Sequence, residues 1–137
     1  MQVRCKTNRG ADLELPYYNP EVGKPLEGVF ELTVGSLYTV YALGLNGPGT
    51  WVYLADDVYV DGPRRYPLCL FDIEDAKVSR HWEFASGRDD ADQPELLAPA
   101  LWLATKWFFN LVFDGDAKAV AAFRQMKNDV DAEVAGG

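Results

Sequence analysis

The sequence predicts an α+β domain: a mostly antiparallel, curled sheet or partly open barrel formed by residues 1–84, with C-terminal helices packed against it. Three observations predict it. Runs rich in β-branched and aromatic residues recur through residues 1–84, separated by Gly, Pro, Asn and Asp clusters. A polar stretch, residues 85–93, then separates this body from residues 94–137. In that last part Val120, Phe123, Val130 and Val134 recur at helical spacing. At 137 residues the chain is expected to be a single domain.

In order, Val3-Arg4-Cys5 reads as a short strand ended by Asn8-Arg9-Gly10. Residues 11–31 hold Pro16, Pro20, Gly23, Pro25 and Gly28, and predict a long surface loop. Leu32-Thr33-Val34-Gly35 leads into a strand over residues 37–43. Asn46-Gly47-Pro48-Gly49 turns it into a second strand over residues 50–55, making an antiparallel hairpin. Val58-Tyr59-Val60 is expected to be a short strand or extended loop, and residues 65–71 resume extended structure. Pro67 confines that segment to an edge or a strand end. Further short strands are expected at Phe71-Asp72-Ile73 and over residues 77–84. Residues 94–113, with Trp102, Trp107, Phe108 and Phe109, read as mainly helical, and Asp116 is placed to cap the closing helix.

The totals narrow the function. The formal net charge is −8, which opposes binding to phosphate backbones or anionic lipid and favours a basic partner, unless the acidity serves solubility alone. The first residues carry no apolar run of the secretory kind. The apolar stretch of residues 96–113 is interrupted by Pro99, Lys106 and Asn110, so a cytoplasmic protein without membrane contact is expected. Cys5 and Cys69 are far apart and are read as reduced, buried strand residues.

Chemistry is sparse. His81 is the one histidine, and no Gly-x-Ser-x-Gly elbow or P-loop accompanies it. One histidine and two separated cysteines do not make a zinc set, and Asp89-Asp90-Ala91-Asp92 lacks the glycine and glutamate of a calcium loop. The expectation is therefore no catalytic residue, no metal and no cofactor.

Aromatics and turn acids remain. The tyrosines on strands are expected mainly in the core, whereas Tyr17 and Tyr18 in the long loop are better contact residues. Together with the turn acids Asp56, Asp57, Asp61, Glu74 and Asp75 they form the expected partner-binding set.

The segments Val3-Arg4-Cys5, Leu32-Thr33-Val34-Gly35 with Tyr38-Thr39-Val40, residues 51–57 and residues 66–73 resemble the strand order of small bacterial SH3-like β-barrel domains. The resemblance covers about the first sixty per cent of the chain and stops where the long loop and the C-terminal part depart from a minimal barrel. In size, acidity and β-rich body with helical decoration, the chain also resembles in type the immunity proteins of contact-dependent inhibition and polymorphic toxin systems. That likeness implies a cognate toxin domain, often basic, neutralised by occlusion of its active site, and a toxin gene directly before the immunity gene. A small regulatory or ligand-binding SH3-like module of bacterial or phage origin is the alternative.

Overall fold

The computed structural model describes residues 1–13, 28–45, 49–88 and 95–136. Seven strands form one antiparallel, unclosed sheet: β1 (Gln2–Cys5), β2 (Leu37–Gly44), β3 (Trp51–Leu54), β4 (Arg64–Pro67), β5 (Phe71–Asp75), β6 (Trp82–Ala85) and β7 (Leu96–Pro99). Three helices come after them, α1 (Ala100–Ala104), α2 (Phe108–Phe113) and α3 (Ala117–Gly136). The architecture is α+β with an open, curled sheet and a helix at the C-terminal end.

The strand path runs β4-β3-β2-β1-β5, and β7 carries β6. Leu43 pairs with Val52 of β3 and also with Leu97 of β7, so β7 must lie on the edge of β2 opposite β3. On that edge β1 takes Leu37 to Thr39, and β7 takes Leu43 and Gly44. The eight residues of β2 thus join two half-sheets.

Within β2 the register with β3 slips between Val40 and Ala42, which oppose the consecutive residues Leu54 and Tyr53. Tyr41 is the extra residue of a β-bulge. Its effect is to send Tyr38, Val40 and Leu43 to one face and both Tyr41 and Ala42 to the other. The first face meets Val3, Cys5, Val52, Leu54, Tyr66 and Leu70 inside the curl, with Phe30 and Leu32 as cover. The second face, joined by Tyr53, Leu96 and Ala98, packs under the helices through Trp102, Phe108, Phe123 and Val130. Edge-to-face ring contacts tie them: Tyr41 to Phe123 at 5.6 Å and Tyr53 to Trp102 at 5.2 Å between centroids.

The β2–β3 hairpin, the brief first strand and the position of Pro67 at the end of the outer strand β4 agree with expectation. Asp116 caps α3 as expected, its carboxylate accepting the Ala119 N–H at 2.9 Å. Other expectations are corrected. Residues 96–99 form β7 and are not helical, because their backbone pairs with both β2 and β6. Of the two forms expected for Val58-Tyr59-Val60 the loop is the one present, since its first two amides are taken by Asp56. Residues 77–81 precede β6 without joining the sheet. Thr33-Val34-Gly35-Ser36 is a turn in which Gly35 has φ +90°, open to glycine with little strain. Cys5 is buried as expected, but Cys69 is only half-buried and sits in a 3-10 turn.

The far end of α3 is pinned by Glu133, which accepts the Arg80 N–H at 2.8 Å. Partial burial raises the Glu133 pKa, but this is outweighed by hydrogen bonds from Ser79 and the Arg80 N–H and by the charges of His81 and Arg80, which hold it below the usual carboxylate range. With the folded pKa depressed, the stabilisation is complete above the unfolded value of about 4.3 and fades as pH falls through the folded value. Urea unfolding of Glu133→Gln should therefore show a loss at pH 7 that shrinks as pH falls below the unfolded value of about 4.3. Phe123, fully buried between Tyr41 and Trp102, should cost about 3–5 kcal/mol on truncation to Ala, read as a lower urea midpoint at unchanged slope.

Candidate functional site

The β3–β4 connection is shaped by two adjacent acids. Asp56 is 3% exposed, and its carboxylate accepts three hydrogen bonds: Val58 N–H at 2.9 Å, Tyr59 N–H at 2.7 Å and Tyr66 Oη at 2.6 Å. Two of these wind the loop into a tight turn, and the third fastens it to β4. Burial, together with the neighbouring Asp56 carboxylate, pushes the Tyr66 phenol well above its ordinary pKa, so it stays a donor. Asp57 accepts from Thr33 Oγ1 at 2.6 Å and Tyr38 Oη at 2.7 Å, while its N–H donates to the Glu31 carbonyl. It clamps residues 31–33 against the start of β2.

This scaffold lifts Val58, Tyr59 and Val60 into solvent, with Tyr59 48% exposed. Arg64 opens β4 opposite Leu54, on the same face of the strand as Tyr66. Its guanidinium lies 3.6 Å from the Tyr59 ring centroid and 4.3 Å from that of Phe113, which ends α2 and is 60% exposed. Arg64 is thus held by two aromatic rings, and among the described residues no carboxylate pairs with it.

Two clefts meet at this cluster. One, of about 330 Å³, runs along residues 58–64 against Val112, Phe113 and Val120. The other, of about 480 Å³, is bounded by residues 28–31, Asp56 and Tyr66. Tyr59, Arg64 and Phe113 line both. Two exposed acids line them, Glu31 the larger and Asp61 the smaller. Exposed aromatic and apolar side chains, one arginine and two exposed acids thus share the lining of the two clefts.

Of the partner-binding residues expected from sequence, the fold gathers Asp56, Asp57 and Asp61 on this connection. Asp56 is withdrawn from the surface, Asp57 remains exposed with both oxygens engaged, and Asp61 lines the smaller cleft. Glu74 and Asp75 lie on β5, at the other end of the strand path. There Glu74 pairs with Arg4 at 2.6 Å, and Asp75 accepts the Lys77 N–H. Tyr17, Tyr18 and Asp89-Asp90-Ala91-Asp92 lie outside the described residues. Sequence reasoning missed Tyr59, Arg64 and Phe113 as a unit. The available signal was Asp56 two and three residues ahead of Val58 and Tyr59, the spacing of a side chain that caps a turn and so turns the next side chains outward.

His81 donates its N–H to Ser79 Oγ and feels the charge of Glu133, but among the described residues its imidazole makes no hydrogen bond. The described residues contain no group of three His, Cys, Asp or Glu side chains that could hold a metal ion, and no helix among them is long and apolar enough to cross a membrane. No family model, curated protein or solved structure matches this chain.

Asp56 and Asp61 should separate in stability. Asp56→Ala leaves three donors without their acceptor and should cost about 2–4 kcal/mol, whereas Asp61→Ala should stay within about 0.5 kcal/mol of the parent. Equilibrium urea denaturation measures both, and equal effects would refute the division between scaffold and surface acids.

Proposed function

We propose that this chain is a protein-binding inhibitor of the immunity type: a cytoplasmic protein that neutralises a basic toxin domain by covering its active site. The observation that carries this reading is the Tyr59–Arg64–Phe113 cluster, shared by two clefts that the exposed acids Glu31 and Asp61 also line. The net charge of −8 favours encounter with a basic surface, and the desolvated aromatic centre supplies the lasting contact. No chemical step by this chain is required.

The partner to test is the product of the gene directly upstream, measured by surface plasmon resonance across a salt series. Association should slow as salt rises, and Asp61→Lys should slow it further with little change in dissociation. Tyr59→Ser combined with Phe113→Ser should speed dissociation about tenfold or more, while His81→Ala should leave both rates unchanged. Salt-independent association together with an unchanged off-rate in the double variant would remove the reading.

A further inference from the structure

Resting on that reading, we infer that the two clefts flanking Arg64 take an extended segment of the partner in which one Asp or Glu side chain lies between two apolar residues, its carboxylate held by the Arg64 guanidinium.

The Arg64 guanidinium lies over the rings of Tyr59 and Phe113, at 3.6 and 4.3 Å from their centroids. Its in-plane edges carry the N–H donors, and among the described residues no carboxylate meets them. A guanidinium held by stacking has already lost much of its rotamer freedom, so a planar, bidentate acceptor costs little further ordering. Carboxylate is the acceptor of that shape with a single charge. Phosphate in a nucleic acid brings a run of charges, which the exposed acids Glu31 and Asp61 in the clefts and the net charge of −8 repel.

The position of Arg64 decides between a side-chain and a terminal carboxylate. Arg64 lines both clefts, about 330 and 480 Å³, each with room for at least one side chain. A chain terminus at Arg64 would fill one and leave the other open. An internal acid lets the segment continue both ways, one apolar side chain against Val60, Val112 and Phe113 and the other against Val29, Phe30 and Tyr59. Arg64 lies between a cleft lined by Glu31 and one lined by Asp61, an arrangement matched by one acid within a basic surface.

Three acetylated peptides test this by titration into the full-length, ¹⁵N-labelled protein. Two are amidated, Lys-Leu-Glu-Phe-Lys and Lys-Leu-Gln-Phe-Lys, and differ only in the carboxylate. The third, Lys-Leu, ends in a free carboxylate. The Glu peptide should shift the amides of Tyr59, Arg64 and Phe113 at about millimolar concentration and bind about tenfold more tightly than the Gln peptide. Arg64→Lys keeps the charge but loses the fork and the stacking, and should reduce that preference to about twofold or less. Equal binding of the Glu and Gln peptides, shifts centred elsewhere, no binding at about 10 mM, tighter binding of the Lys-Leu peptide, or a full preference retained by Arg64→Lys would each overturn the inference. If it fails while the Tyr59/Phe113 double variant still releases the upstream gene product, the inhibitor reading stands without it.

Discussion

Everything in this fold depends on β2 being apolar on both faces and paired along both edges. An isolated strand with that composition would aggregate; here its flanks are covered by β3 on one side and by β1 and β7 on the other. The bulge at Tyr41 makes the double burial workable. Without the extra residue, strict alternation would carry Leu43 to the helical side and Ala42 into the curl. With it, the small Ala42 lies beside Tyr53 under the helices, and Leu43 stays with Val40 and Val52 inside the sheet. One inserted residue thereby adapts a single strand to two cores.

The acids show why net charge alone does not locate an interface. Asp56 and Asp57 contribute two of the negative charges, yet their oxygens serve five donors within the chain. Burying Asp56 would be expensive without those partners; with three of them it becomes the element that fixes the loop. The consequence reaches the surface. A loop wound by its own acid holds Tyr59 in place, Tyr59 and Phe113 hold Arg64, and a cation so held is ordered before anything binds.

Much of this was legible in the residues. The antiparallel pairing of β2 with β3, the stripe of α3 and the capping role of Asp116 arise from local chemistry, and local chemistry prevails there. Residues 96–99 were not legible, because a short run of Leu and Ala suits a helix as well as a buried strand. Only partners distant in sequence, Leu43 and residues 82–85, decide between them. Val58-Tyr59-Val60 was open between strand and loop: its β-branched composition suits a strand, but Asp56 takes the amides a ladder would need. The site was only partly visible. Tyr59 and Arg64 come from one connection and the strand after it, but Phe113 arrives from the end of α2, a meeting that no local pattern announces.

In the proposed complex the acidic rim and the arginine centre would act at different ranges. Attraction between this acidic surface and a basic one extends over roughly 8 Å at physiological ionic strength, so it guides approach before surfaces touch and is blind to the details of the partner. At the same range Arg64 is masked by the excess of negative charge around it. Its charge is felt only on contact, when water has left the clefts and the rings of Tyr59 and Phe113 leave its donors a narrow choice of acceptor. A purely acidic face would hold any basic protein weakly. A cation at its centre penalises every partner that brings only positive charge to that point, because like charges would then be desolvated together. In that complex general attraction would set the rate of encounter, and Arg64 would set which encounters persist.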